Sequence, residues 1–324
     1  MNDVVIGLSA VVMGLRNGEV AVLSARADRD NLPALPSGPF DPSGHRTFEL
    51  ALRAFVTAQT GFHLGFVEQL YTFGDAGREA PRADVGAGAA RVISVGYLAL
   101  TPSAEDHEAP GTRWSDWSVF FPWEDWRGGR PRVIDALIAP ALRDWASSAP
   151  TPTDQQSRLS RACRLFALDG ERWNEERVLE RYEMLYDADL VPEALRDHAE
   201  LGDVPTDPTG SAHEALGQPM VSDHRRILAT GLGRLRGKLK YRPVVFDLMP
   251  PRFTLSDLQR TVEAVSGVLL HKQNFRRSVE RTGFVVPLGQ YREDTGGRPA
   301  ELFGFNRDTV SPAAAQGLSL PLRR

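Results

Sequence analysis

The residues best suited to chemistry lie between His271 and Thr282. Lys272, Gln273, Asn274, Arg276, Arg277 and Arg281 occupy one short stretch in which only Phe275 and Val279, spaced i and i+4, are apolar. Arg and Lys bond guanine edges or phosphates, and Gln and Asn match adenine. A helix carrying this set on one face has the chemistry of a nucleic-acid reader. Elsewhere the usual catalytic groups are sparse. The seven histidines are scattered with no HExxH or paired metal spacing, and the single cysteine, Cys163, excludes an intrachain disulfide or a cysteine-rich metal site. One cysteine in 324 residues fits a reducing, cytoplasmic location.

The elements that must position the polar helix follow from periodicity. Upstream, Thr254 and Asp257 form a capping-box-like start, after which Leu258, Val262 and Val265 run along one face to Gly267. Downstream, Phe284 to Leu288 and Ala300 to Phe305 read as strands. They flank a polar tip that carries Gly296-Gly297-Arg298-Pro299, a tight turn with one arginine. Two helices joined by a short turn and followed by such a hairpin form a winged helix-turn-helix. A homodimer is the natural expectation, because dimers of these modules read two half-sites. The competing reading of this segment is a three-helix protein-interaction domain with a solvated face.

Charge supports the nucleic-acid reading. Residues 223–307 hold 16 Lys/Arg against 8 Asp/Glu, a net +8, whereas the remainder, 22 against 34, has a net −12. The overall −4 thus averages two opposed parts. The segment Asp223 to Tyr241, with Ile227, Leu228, Leu232, Leu235 and Leu239 on one side, reads as a basic helix opening the second part. Leu201 to Ser222, rich in Gly, Pro, Asp and Ser, reads as a linker.

The first part mixes strands and helices. Val4 to Leu15 and Val20 to Leu23 flank Asn17-Gly18, a hairpin signal. Thr47 to Thr60 is a helical run stopped by Gly61, and Phe66 to Phe73 and Arg91 to Leu100 read as buried strands. Trp114, Trp117, Trp123 and Trp126 either pack against the sheet or stack a planar ring. Arg158 to Leu168 and Glu171 to Leu185 are further helical patterns, for packing or for a dimer surface. No run of about 18 apolar residues exists, so no membrane span is expected.

VEQLYTFGD (67–75), RVISVGYLAL (91–100), the stretch from His224 to Gln259, HKQNFRR (271–277) and the GGRPAELFGFN wing resemble Nudix-related transcriptional regulators of NAD metabolism. The resemblance covers about residues 1–135 and 222–307. It implies an α+β architecture: a Nudix-like α/β/α sandwich (1–140), a helical insertion and linker (141–221) and a C-terminal winged helix-turn-helix domain (222–324). Members act as repressors and sense NAD-related nucleotides such as ADP-ribose or NAD, so the implied partners are double-stranded operator DNA and a nucleotide effector, with no required cofactor. The residue types on the polar helix and at the wing turn point to DNA contacts by Lys272, Gln273, Asn274, Arg276, Arg277 and Arg298. Effector contacts would fall near Gln69, Tyr71, Phe73, Asp75 and Arg78, each of which could equally be a core or turn residue.

The Nudix signature itself is degenerate. With its last pair on Gly61-Phe62, Phe40 and Arg46 fall on its first Gly and Glu. Ala54 and Phe55 replace Arg-Glu, and Ala58 and Gln59 replace the paired glutamates. Magnesium-assisted diphosphate hydrolysis needs oxygen ligands, usually carboxylates, and Glu49 is the only one between Pro42 and Val67. The expectation is therefore a silent Nudix-like receptor and no metal site. The alternatives are a Nudix hydrolase acting on ADP-ribose or a related dinucleotide, and a sensor whose basic domain binds RNA, which lacks RNP-like or GXXG support.

Overall fold

The computed structural model describes residues 4–26, 32–75, 78, 91–102, 104, 110–200, 210–240, 242–292 and 299–306. Its centre is a seven-stranded mixed sheet. β1 (Val4–Arg16) and β2 (Glu19–Arg26) form the expected hairpin, turned by Asn17 and Gly18 at φ +53° and +80°, the left-handed pair that a tight two-residue turn requires. β6 (Arg91–Thr101) lies parallel to β1, and β5 (Phe66–Phe73) pairs antiparallel with β6. The short β3 (Pro33–Ala34) and β7 (Thr112–Asp116) pair with β2, and β4 (Ser37–Pro39) with β1.

Side-chain alternation divides this sheet between two cores. Ala10, Val12, Ala21, Leu23, Tyr97 and Ala99 point to one side, where α1 (Phe48–Thr60) supplies Ala51, Leu52 and Val56. Val11, Met13, Val20, Val22, Leu98 and Leu100 point to the other. Thr47 caps α1 by accepting from the Leu50 N–H at 3.2 Å, and Gly61 ends it at φ +69°. The central strand is buried on both faces, which is why it reads as a continuous apolar run.

The second face is covered by α6 (His224–Leu239), whose Ile227, Leu228, Leu232, Leu235 and Leu239 are fully buried. A Cβ on Gly231 would lie 2.9 Å from Val11, so glycine lets this helix sit directly on β1. The boundary expected at residue 222 therefore falls at the start of a helix that packs on the sheet. Periodicity showed that α6 buries a face and could not show against what. The helices α2 (Ala139–Ser147), α3 (Pro152–Phe166), α4 (Val178–Asp187) and α5 (Pro192–Glu200) form a layer that meets α6 through α4. Of the segment read as a linker, residues 216–222 pack down: Met220 is buried with its N–H on Glu193, and Gln218 N–H donates to Val119. The rest is α7 (Leu255–Ser266), α8 (Lys272–Thr282) and the hairpin β8 (Val285–Arg292) with β9 (Ala300–Phe305). Among the described residues no helix is long and apolar enough to cross a membrane.

Candidate nucleic-acid interface and effector face

α7 starts on a complete capping box: Thr254 Oγ1 accepts from the Asp257 N–H at 3.1 Å while Asp257 accepts from the Thr254 N–H at 2.9 Å. Burial pushes the Asp257 carboxyl up, but the Thr254 bonds with Arg260 and Arg292 outweigh it and hold it below the usual range. Gly267 ends α7 at φ +72°, and four residues separate it from Lys272, the first residue of α8. Phe275, Ser278 and Val279 turn into the core, while Lys272, Gln273, Asn274, Arg276, Arg277 and Arg281 are exposed together. The five α8 residues expected to contact DNA thus share one outward face.

β8 and β9 form a two-stranded wing fixed to the base of α7 by paired Phe253 and Phe303 backbone bonds of 3.1 and 2.8 Å. Arg298 lies outside the described residues. Arg252, whose Nη1 donates to Gln290 at 3.3 Å, and Tyr291, 59% exposed, extend the polar surface along the wing. Sequence reasoning passed over both, since an isolated Arg or Tyr in a hairpin carries no local signal.

The charge asymmetry is partly internal. Arg225 is fully buried on Glu193, Arg226 bonds Asp75, Glu183 and Asp223, and Arg234 and Lys238 meet Glu68. Arg236 is buried on Glu124, and Lys240 meets Glu175 and Glu176. Six of the sixteen cations in 223–307 neutralise acids of the sheet domain and its helical layer. Of the basic groups left exposed among the described residues, Lys272, Arg276, Arg277 and Arg281 stand together on α8, while Arg242, Arg252 and Arg260 lie apart from it.

The helix-turn-helix is docked on the sheet domain through buried polar groups. Trp117 Nε1 donates to the Ala264 carbonyl at 2.8 Å, Arg236 Nε to Val265 at 2.9 Å, and the Trp126 N–H to Gly267 at 2.7 Å. Trp114, Trp117 and Trp123 are all buried, and Trp126 packs 4.5 Å from Trp173. Of the two readings of the tryptophans, the structure shows packing.

The residues expected to hold an effector are not gathered on one open surface. A bulge between Gln69 and Thr72 leaves Tyr71 and Thr72 exposed and returns Phe73 to the core beside Leu70. Gln69 is exposed, with Tyr97 Oη donating to its Oε1 at 3.4 Å. Burial raises the Tyr97 pKa. Asp75 pairs with Arg226 at 2.5 Å, which lowers its pKa. Arg78 is 7% exposed, bonded to Glu183 at 3.0 Å and stacked 3.5 Å from the Tyr186 ring centroid. Burial pushes the neighbouring Asp223 carboxyl up to about 6 despite Arg226 and Arg78. One end of β5 is thereby tied to α4 and α6. On α1, Glu49 pairs with Arg53, and among the described residues no group of three or more His, Cys, Asp or Glu is placed to hold a metal ion.

Residues 245–305 match the model of the NrtR DNA-binding winged helix domain. A curated relative, the ADPR responsive transcriptional repressor NtrR of Acinetobacter baylyi, is 37% identical over 92 residues, 28% of this chain. The chain spans about a third (36%) of that relative's length in the match. The crystal structure of Shewanella oneidensis NrtR with a 27mer DNA aligns over 98% of this chain and 99% of its own, at 18% identity and a TM-score of 0.52. A MutT/nudix family protein of Enterococcus faecalis aligns over 94% of this chain and 88% of its own, at 14% identity and a TM-score of 0.51. Local sequence and overall fold agree on one α+β architecture, a Nudix-like sheet domain followed by a winged helix of the NrtR kind.

Proposed function

We propose that this chain is a ligand-responsive transcriptional repressor of NAD biosynthesis genes, working in the cytoplasm as a homodimer on double-stranded operator DNA. The observation that carries the reading is the outward face of α8, where Lys272, Gln273, Asn274, Arg276 and Arg277 stand free of the core. This helix enters the major groove, and Arg298 of the wing tip reaches phosphate or the minor groove.

The effector is an NAD-related nucleotide. ADP-ribose comes first because a relative that shares part of this sequence is named ADPR responsive. Its site is the β5 end, with Gln69 and Tyr71 as exposed contacts, Phe73 as their support, and Asp75 and Arg78 linking the site to α4 and α6. Arg78 has the fork geometry for a phosphate, and its Nε has no hydrogen-bond partner. The sheet domain is catalytically silent and needs no cofactor, because the positions of the Nudix glutamates carry Ala54, Phe55, Ala58 and Gln59.

A ligand switches such a protein only if it binds the DNA-competent and incompetent arrangements unequally. ADP-ribose should therefore raise the melting temperature and change DNA affinity at fixed salt by about fivefold or more. Loss of both effects would sink the receptor reading. Release of AMP from ADP-ribose in the presence of magnesium would sink the silent-domain reading.

A further inference from the structure

A cleft of about 340 Å³ opens where the sheet domain meets the winged helix, and both contribute to its walls. Phe66 begins β5, Lys238 lies in the last turn of α6, Arg242 precedes and Asp247 ends the short helical turn Val244–Asp247, and Phe305 ends β9. The Phe246 and Phe305 rings stack nearly parallel, 4.3 Å apart and 14° between planes, so buried Phe246 backs Phe305, which gives the cleft an apolar wall. Lys238 Nζ stands 5.9 Å from the Phe66 ring centroid while its charge is shared with Glu68. Arg242 is exposed on the rim, and its guanidinium pairs with no group among the described residues.

This combination has a definite ligand chemistry. The volume sits at the lower end of small-molecule pockets, roughly 300–1,000 Å³, and admits one ring system with one charged group. A planar base lies against the phenylalanines, and an unpaired guanidinium forks onto phosphate. We propose that the cleft binds a nucleoside monophosphate, its phosphate on Arg242 and its base against Phe66 and Phe305. The site is distinct from the effector residues: Phe66 stands at the opposite end of β5 from Phe73, Asp75 and Arg78. Because one wall belongs to the wing, occupancy bears on how the DNA-binding part sits against the sheet domain.

The test is calorimetric titration of the full chain with AMP in the absence of DNA and of ADP-ribose. The expected result is saturable binding that weakens at least tenfold in Arg242→Gln and is unchanged in Tyr71→Ala. Both residues are exposed, so each variant should keep the parent melting temperature. Absence of binding heat, equal affinity in Arg242→Gln, or loss of binding in Tyr71→Ala would each overturn the proposal, the last by placing AMP at the other end of β5. Neither operator DNA nor ADP-ribose enters the measurement, so its failure leaves the repressor reading standing.

Discussion

Glu124 accepts from Arg181 at 2.5 Å and from Arg236 at 2.6 Å, and all three side chains are fully buried. Two guanidiniums withdrawn from water are tolerated only while their shared carboxylate remains. Glu124→Gln should therefore cost about 3–5 kcal/mol in urea unfolding, and a loss below about 1 kcal/mol would show that water relieves the arginines. Asp223 offers a second test. Its carboxyl is raised by folding from 3.8 to about 6, so it favours the folded state below the unfolded value and loses that contribution as pH rises through 6. Asp223→Asn should flatten the stability profile between about pH 4 and 7, by up to about 3 kcal/mol. Parallel profiles for parent and variant would contradict the assignment. Glu124 could not be singled out in the sequence, because it meets its partners 57 and 112 positions away.

Elements with local signals were legible. The Asn17-Gly18 turn, the Gly61 stop and the Thr254–Asp257 box each reappear as geometry, whereas the Thr47 cap emerges only in the structure. The pattern expected to run as one helix from Glu171 does not start until Val178: Asp169 and Gly170 turn at φ +52° and +89°, and Asn174 bonds the Glu176 N–H. α2 escaped notice because it follows a wide turn at Ile134–Ile138 that blurs the apolar spacing. α6 was legible as a helix and illegible in its destination, since its acidic partners lie on other elements. At the joint between α7 and the sheet domain, a Cβ on Gly267 would fall 2.5 Å from the Glu124 carbonyl oxygen, and φ is +72°. Gly267→Ala should thus lose more than the roughly 1 kcal/mol of left-handed strain alone. A melting temperature equal to the parent's would mean that the two parts separate there at little cost.

At the scale of the molecule, α6 is the element both halves share. It receives Asp75 and Glu183 through Arg226 near its start and holds Val265 of α7 through Arg236 near its end. A nucleotide that disturbs Asp75 or Arg78 acts on a helix that also supports the helix-turn-helix, which is the physical route proposed for the switch. Net charge by segment overstated the outward basic surface, because the cations of α6 are matched internally. What survives that correction is the exposed face of α8, and the account rests on it. The most direct measurement is the affinity of the full chain, at fixed salt, for duplexes it enriches from a randomised pool, compared with Arg276→Ala and Arg277→Ala. The account predicts an enriched sequence and a loss of about 1–3 kcal/mol in each variant, confined to one base pair where the arginine reads an edge and even across sequences where it meets phosphate. No enriched sequence, or unchanged affinity in both variants, would contradict it.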